Sequence, residues 1–215
     1  MPFVAIREDT RRKVDITDYE SPKVALGGVS FVCRDCAAPM VIRSGDFVSP
    51  HFAHKPGYED RPCWFRRVAE SEAHREAKRR IAAALTNSDF FKGGRVEIEY
   101  PIDTEAGRRY IDVYMELPDG RRYAHEAQIS GQGIAEFAER SQAYRSQGLE
   151  PVWWLGGPAR TRENIVWVKQ HCAWLGELDI TYQEHVIIDE RDGSDGATSI
   201  GSGSVGRGRY QPARA

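Results

Sequence analysis

Pro118-Asp119-Gly120 stands between two runs of alternating character and constrains the chain more than any other short segment. Proline presets φ for a turn, aspartate tolerates the turn, and glycine accepts the positive φ that closes a hairpin. The runs on either side, Tyr110 to Leu117 and Arg121 to Ser130, then become antiparallel strands. With Leu117 paired to Arg121, counting out equally along both strands sets Asp112 opposite Glu126. Directly opposed side chains share a sheet face, with Cβ atoms about 5 Å apart. Like charges so placed repel. A hard divalent cation between them would offset that cost, since oxygen ligands of this kind hold such ions. Gln128 projects from the same face as Glu126, because strand side chains repeat with a period of two. The hairpin therefore reads as a metal-dependent catalytic site. The competing reading is a solvated face on which Arg108, Arg109, Arg121 and Arg122 balance the two acids.

A chain of 215 residues can bury a core in one main domain with a small appendage. Its formal net charge of −2 excludes a global basic field, so nucleic-acid binding would need a local patch. No apolar run reaches membrane-spanning length, and Met1 to Glu8 lacks the apolar core of a secretory signal. A cytoplasmic location with no membrane partner is expected. In that compartment cysteines read as metal ligands rather than disulfides.

Two short strands are expected at residues 2–7 and 11–16, followed by a Cys/His-rich module from about Ser30 to Cys63. The clearest helix runs from about Val68 to Leu85, with Ala69, Ala73, Ala77, Ile81 and Leu85 as its apolar stripe. Strands follow at Val96–Ile102, Arg109–Leu117 and Arg122–Ser130, the middle one turning Ile111, Val113, Met115 and Leu117 to the core. A helix from Ile134 to Ser146 and a buried strand, Pro151 to Leu155, complete a right-handed strand-helix-strand crossover. The fold class is α/β with a mixed sheet. Residues 160–190 carry apolar pieces without assigned elements, and the Gly/Ser/Arg-rich tail 191–215 is expected to be disordered.

Cys33-x2-Cys36, His51, His54 and Cys63 supply five candidate ligands for a tetrahedral zinc site that needs four. The preferred set is Cys33, Cys36, His54 and Cys63, with His51 as an alternative ligand or a neighbour of one. In an extended segment, residues three apart point to opposite faces, so both histidines serve one ion only if the chain turns between them. A redox pair would sit where a strand runs into a helix, whereas Pro39 and Met40-Val41-Ile42 suit a zinc knuckle. Such a closed site would be structural. Cys172 reads as a core residue.

On the first helix, Ser71, His74, Arg75 and Lys78 share a face opposite the apolar stripe, with Arg79 nearby. That face could meet phosphates, or be a solvated, salt-bridged surface. Glu72 flanks the stripe, placed to lean toward a sheet edge as a further metal ligand. His125 points to the core face and reads as a satisfied core histidine.

Four blocks carry a family resemblance: Phe31-Val32-Cys33-Arg34-Asp35-Cys36; His51-Phe52-Ala53-His54; Glu70-Ser71-Glu72-Ala73-His74 through Lys78; and Tyr110-Ile111-Asp112-Val113 with Glu126-Ala127-Gln128-Ile129-Ser130. In this order they resemble the competence protein CoiA-like nucleases, a branch of the PD-(D/E)XK superfamily with a restriction-endonuclease-like αβββαβ core. The resemblance implies three parts: residues 1–66 as N-terminal strands plus a zinc-finger-like module, 67–190 as the nuclease-like domain, and 191–215 as the tail. It implies Mg²⁺ or Mn²⁺ on Asp112 and Glu126, supported by Glu72, and hydrolysis of DNA, possibly single-stranded. Gln128 takes the place of the superfamily's usual lysine, with Lys78 as a candidate substitute. Arg140 and Tyr144 resemble the family's Arg and Tyr on the following helix, where they would touch phosphate or cap the core. An inactive DNA-binding protein on the same fold is the alternative.

Overall fold

The computed structural model describes residues 2–45, 48–67, 70–88, 91–104, 107–172, 174–178, 185–190 and 198–201. Two compact units divide the chain: Met1–Glu76 with Pro101–Tyr110, and Ala77–Tyr100 with Ile111–Ala215. Residues 101–110, grouped in the sequence reading with the domain that follows, fall in the first unit.

The first unit is built on β1 (Val4–Arg7), β2 (Lys13–Asp15), α1 (Pro22–Ala25), β3 (Phe31–Val32), β4 (Pro39–Gly45), β5 (Val48–His54) and α2 (Trp64–Arg67). Its strands form one sheet in the order β2-β1-β3-β4-β5, antiparallel throughout. The two N-terminal strands are those expected, each trimmed at its ends. Phe3, Val4, Ala5, Ile16, Phe31, Met40 and Phe52 make the core, with the Phe31 and Phe52 rings 4.9 Å apart. An apolar set this small is a thin basis for stability, as is usual for small metal-stapled modules.

The remaining elements are α3 (Glu72–Asn87), β6 (Arg95–Thr104), β7 (Gly107–Glu116), β8 (Arg122–Gln128), α4 (Ile134–Ser146), β9 (Glu150–Gly156), α5 (Arg162–His171), β10 (Trp174–Leu178), β11 (His185–Glu190) and β12 (Thr198–Gly201). From α3 to β9 the order is αβββαβ. In α3, Ala77, Ile81 and Leu85 are buried as their spacing predicts, while Val68 and Ala69 lie outside the described residues. The larger sheet runs β12-β11-β10-β9-β8-β7-β6. β8 pairs antiparallel with β7 and parallel with β9, the expected result of a crossover through α4.

The turn chemistry sets the hairpin register. Gly120 has φ +85, its N–H donates to Leu117 O, and Leu117 N–H donates to Arg121 O at 2.8 Å. Val113 then pairs with His125 and Glu116 with Arg122, the register counted from the sequence. One expectation needs revising. β7 and β8 are buried on both faces, not on one, because β8 lies between two neighbours and α4 covers its second face.

Residues 160–190, unassigned in the sequence, contain α5, β10 and β11. Thr161 caps α5 by accepting the Asn164 N–H at 3.1 Å. β10 runs parallel to β9, and its Gly176 is required there: a Cβ would lie 2.1 Å from the Trp154 ring. α4 and α5 close over Trp153, Leu155 and Leu175 through Phe137, Val168 and Cys172, so Cys172 is the core residue expected. Of the tail, 191–197 and 202–215 lie outside the described residues, whereas Thr198–Gly201 pairs with β11 rather than standing apart from the sheet.

Candidate metal centre and candidate active site

The first site forms at a knuckle. Cys33 N–H donates to Ala38 O, Ala37 N–H donates back to Cys33 O, and Asp35 N–H points at Cys33 Sγ at 3.4 Å. Ala37 takes φ +56 to close this tight turn. β5 brings in His54, and Cys63 arrives just before α2. The four ligand atoms lie within 4.8 Å of one another. Cys33 Sγ is 3.7 Å from Cys63 Sγ, while His54 Nε2 is 3.4 Å from Cys36 Sγ and 3.6 Å from Cys63 Sγ. A tetrahedron with zinc-ligand bonds of about 2.0–2.3 Å has edges of about 3.5–3.8 Å. The donors fit a tetrahedral ion in kind, and these three separations fit it in spacing.

Burial pushes the Cys33 and Cys63 thiols up, and at Cys63 the neighbouring Cys33 adds to the effect. Burial pulls His54 down, toward the neutral form a metal ligand needs. His51 is not in the cluster. Three residues back on an extended strand, it faces away, buried, and its Nδ1–H donates to Ser49 O at 2.8 Å.

The sequence reading missed the frame around the knuckle. Asp35 accepts the Trp64 N–H at 2.7 Å and the Tyr110 hydroxyl at 3.2 Å, fastening α2 and β7 to the loop between Cys33 and Cys36. The Arg34 guanidinium lies 4.4 Å above the Tyr110 ring. An acid inside a Cys-x2-Cys loop was the available signal.

At the start of α3, Ser71 Oγ accepts the His74 N–H and His74 Nδ1 lies 3.0 Å from Glu70. Glu72, expected to lean toward a sheet edge as a further metal ligand, accepts the Ser49 N–H at 2.6 Å and pairs with Arg75. Burial works to raise the Glu72 carboxyl, but Ser49 and Arg75 outweigh it and hold it below the usual range. Arg75 and Lys78, expected on a phosphate-facing surface, are buried. Lys78 Nζ pairs at 2.8 Å with Glu99, itself 2% exposed and at φ +55. Lys78 is thus committed to an internal partner. Glu99 was missed in the sequence, where Glu97 and Glu99 alternate with Val96, Ile98 and Tyr100 and read as a solvent-facing row.

The second site lies on β7, β8 and α4. Asp112, Glu126 and Gln128 are all buried, Glu126 to 1%. Asp112 Oδ2 accepts the Ala127 N–H at 3.0 Å, so its side chain joins the two strands beyond the last backbone pair, Val113 with His125. Glu126 and Trp153 are paired on parallel strands and share a face, and α4 lies over both. From that helix Arg140 and Tyr144, one turn apart, both donate to the Glu126 carboxylate, and the Arg140 guanidinium stacks 4.9 Å from the Trp153 ring.

Burial pulls Arg140 down, but Glu126, Tyr144 and Asp112 outweigh it and keep the guanidinium charged. Burial and Glu126 keep the proton on Tyr144. Both acids therefore act on one cation, and that cation is a side chain. Tyr144, expected at phosphate or in the core, is the donor that anchors Glu126. Gln128 Nε2 donates to Ser130 O at 2.8 Å and to Ser130 Oγ at 3.0 Å. A carboxylate offers about four lone-pair directions, so two hydrogen bonds do not exhaust Glu126. Asp112, Glu126 and the Gln128 amide each carry oxygens of the kind that Mg²⁺ takes.

His125 lies on the opposite face of β8, where its Nδ1 accepts the Trp154 indole N–H at 3.0 Å. Burial alone pushes it down to about 3, so it is the neutral core histidine expected. No helix among the described residues is long and apolar enough to cross a membrane.

Neither the curated proteins nor the solved structures compared with the chain give a match. Two family models do match. The nuclease-like domain of competence protein CoiA covers residues 70–176, and the CoiA N-terminal domain covers residues 18–59. The first takes in Asp112, Glu126, Gln128, Arg140 and Tyr144, and the second takes in Cys33, Cys36 and His54. With both of its domains matched in order, the chain belongs to the CoiA family of competence proteins.

Proposed function

We propose that this protein is a metal-dependent deoxyribonuclease of the cytoplasm, acting on DNA in recombination, processing or defence. What supports the reading is two buried carboxylates, Asp112 and Glu126, carried on the two strands of one hairpin within the stretch that matches a nuclease-like domain. Asp112 and Glu126 would hold Mg²⁺ or Mn²⁺. Bound there, such an ion lowers the pKa of a water and offsets charge growing on a phosphodiester. Arg140 and Tyr144 donate to Glu126 and fix it in place. Cys33, Cys36, His54 and Cys63 would hold a structural Zn²⁺, which stabilises the small sheet rather than taking part in chemistry. DNA, possibly single-stranded, would be gripped through its backbone by a local basic patch, because the chain has no global basic field.

One observation favours a second reading, a DNA-binding protein with little or no cleavage. Arg140 already compensates Glu126, and no lysine follows Glu126 at position 128. The test is incubation of the zinc-loaded protein with linear, circular and single-stranded DNA under Mg²⁺, under Mn²⁺, or with no added divalent ion. Cleavage that requires Mg²⁺ or Mn²⁺ and is lost in Asp112→Ala and Glu126→Gln, with DNA affinity kept, supports the nuclease. DNA affinity without cleavage in the wild type under either ion supports the second reading.

A further inference from the structure

Gln128 occupies the place where a lysine would be expected, and the hydrogen bonds it makes fix which end of its amide points where. Ser130 O is a carbonyl and can only accept, so the amide atom beside it must be the nitrogen. Ser130 Oγ takes a second bond from the same nitrogen. Both amide donor directions are thereby drawn toward the end of the strand. The oxygen, on the other side of the same planar group, is turned away from Ser130. Among the described residues it accepts no hydrogen bond, and it is not a buried, unsatisfied acceptor. Glu126 projects two residues earlier on the same face.

We propose that Gln128 is an oxygen ligand of the catalytic cation, presented amide-oxygen-first by Ser130, and not a neutral stand-in for a lysine donor. This rests on the nuclease reading and specifies its site. A lysine contributes a positive charge and donors only, whereas an amide oxygen contributes an acceptor of the kind hard cations take. The site already has its cation donor in Arg140. A second positive side chain would add repulsion, and a third oxygen beside Asp112 and Glu126 helps to hold an ion, because Glu126 is shared with Arg140 and Tyr144.

The test is Mn²⁺ binding to the full, zinc-loaded chain, read by loss of the free-ion electron paramagnetic resonance signal, beside cleavage of single-stranded DNA. Asp112→Ala tests the underlying site, and Gln128→Met, Gln128→Glu and Gln128→Lys test the inference, each checked for an unchanged melting temperature. Gln128→Met is expected to weaken Mn²⁺ about tenfold or more, the scale on which residues around a metal act. Gln128→Glu should bind Mn²⁺ at least as tightly as the wild type. Gln128→Lys should abolish both Mn²⁺ binding and cleavage. Wild-type affinity in Gln128→Met, or cleavage by Gln128→Lys equal to or above the wild type, overturns the inference while leaving the nuclease reading intact. A wild type without Mn²⁺ binding that depends on Asp112 overturns both.

Discussion

The cluster at Cys33, Cys36, His54 and Cys63 and the acid pair at Asp112 and Glu126 each gather groups that are unfavourable together, and they resolve the problem in opposite ways. In the first, burial keeps protons on the thiols while the donors stand at the separations of a tetrahedral ion. In the second, the protein supplies its own cation, Arg140, and a phenol, Tyr144, and the carboxylate is satisfied from within. A metal at the first site would complete the fold. A metal at the second would find the fold already complete, so it would serve chemistry and could come and go.

The largest expected effect follows directly. Structural zinc contributes on the order of 10 kcal/mol in small modules. Cys63→Ser, or prolonged chelation of the wild type, should therefore unfold the first unit and remove one zinc per chain, measured by metal analysis and calorimetry. Removing Mg²⁺ should leave the melting temperature almost unchanged. Equal zinc content in Cys63→Ser and wild type would break the contrast from one side. A large stabilisation by Mg²⁺ would break it from the other.

Next in size is Arg140→Ala. It leaves the Glu126 carboxylate buried with its cation gone, a change that costs about 3–5 kcal/mol where a buried pair loses one partner. Urea unfolding should show that loss. Arg140→Met combined with Glu126→Gln should recover much of it, since replacing both charges removes the uncompensated one. A loss within the range of ordinary surface substitutions, about 0.5 kcal/mol, would mean that Arg140 is not what neutralises Glu126.

How far these sites could be read in the sequence depends on the range of the contacts that make them. The hairpin register was legible because Pro118-Asp119-Gly120 sets it locally, and counting residues does the rest. The Cys33, Cys36, His54 and Cys63 cluster was legible too, and His51 could be set apart from His54 by strand alternation alone. The partnership of Arg140 and Tyr144 with Glu126 was not legible. It depends on how α4 lies over β8 and β9, which helical spacing within α4 does not fix. Lys78 misled for a related reason. Its polar character suggested solvent, but the acid that lets it be buried, Glu99, comes from a strand more than twenty residues later and in a left-handed conformation. β10 escaped notice because its Gly176 looks like a breaker until the Trp154 ring that requires it is in place.

The smallest effect sharpens the comparison through pH, on the other face of the strand that carries Glu126. His125 is buried neutral, its pKa pushed down to about 3 by loss of solvent. In the unfolded chain a histidine titrates near 6.5. As pH falls below that value the unfolded state takes up a proton that the folded state refuses. The stability contributed is thus complete above about 6.5 and is lost progressively toward about 3, by up to about 1.4 kcal/mol per pH unit. His125→Asn keeps an acceptor near the Trp154 indole but cannot titrate. Urea unfolding of zinc-loaded wild type and variant, followed by tryptophan fluorescence between pH 7 and 5, should show a shallower slope for the variant. Zinc release would tilt both curves alike, so the difference between them belongs to the second unit. Parallel slopes would place the acid sensitivity of the whole protein in the metal cluster.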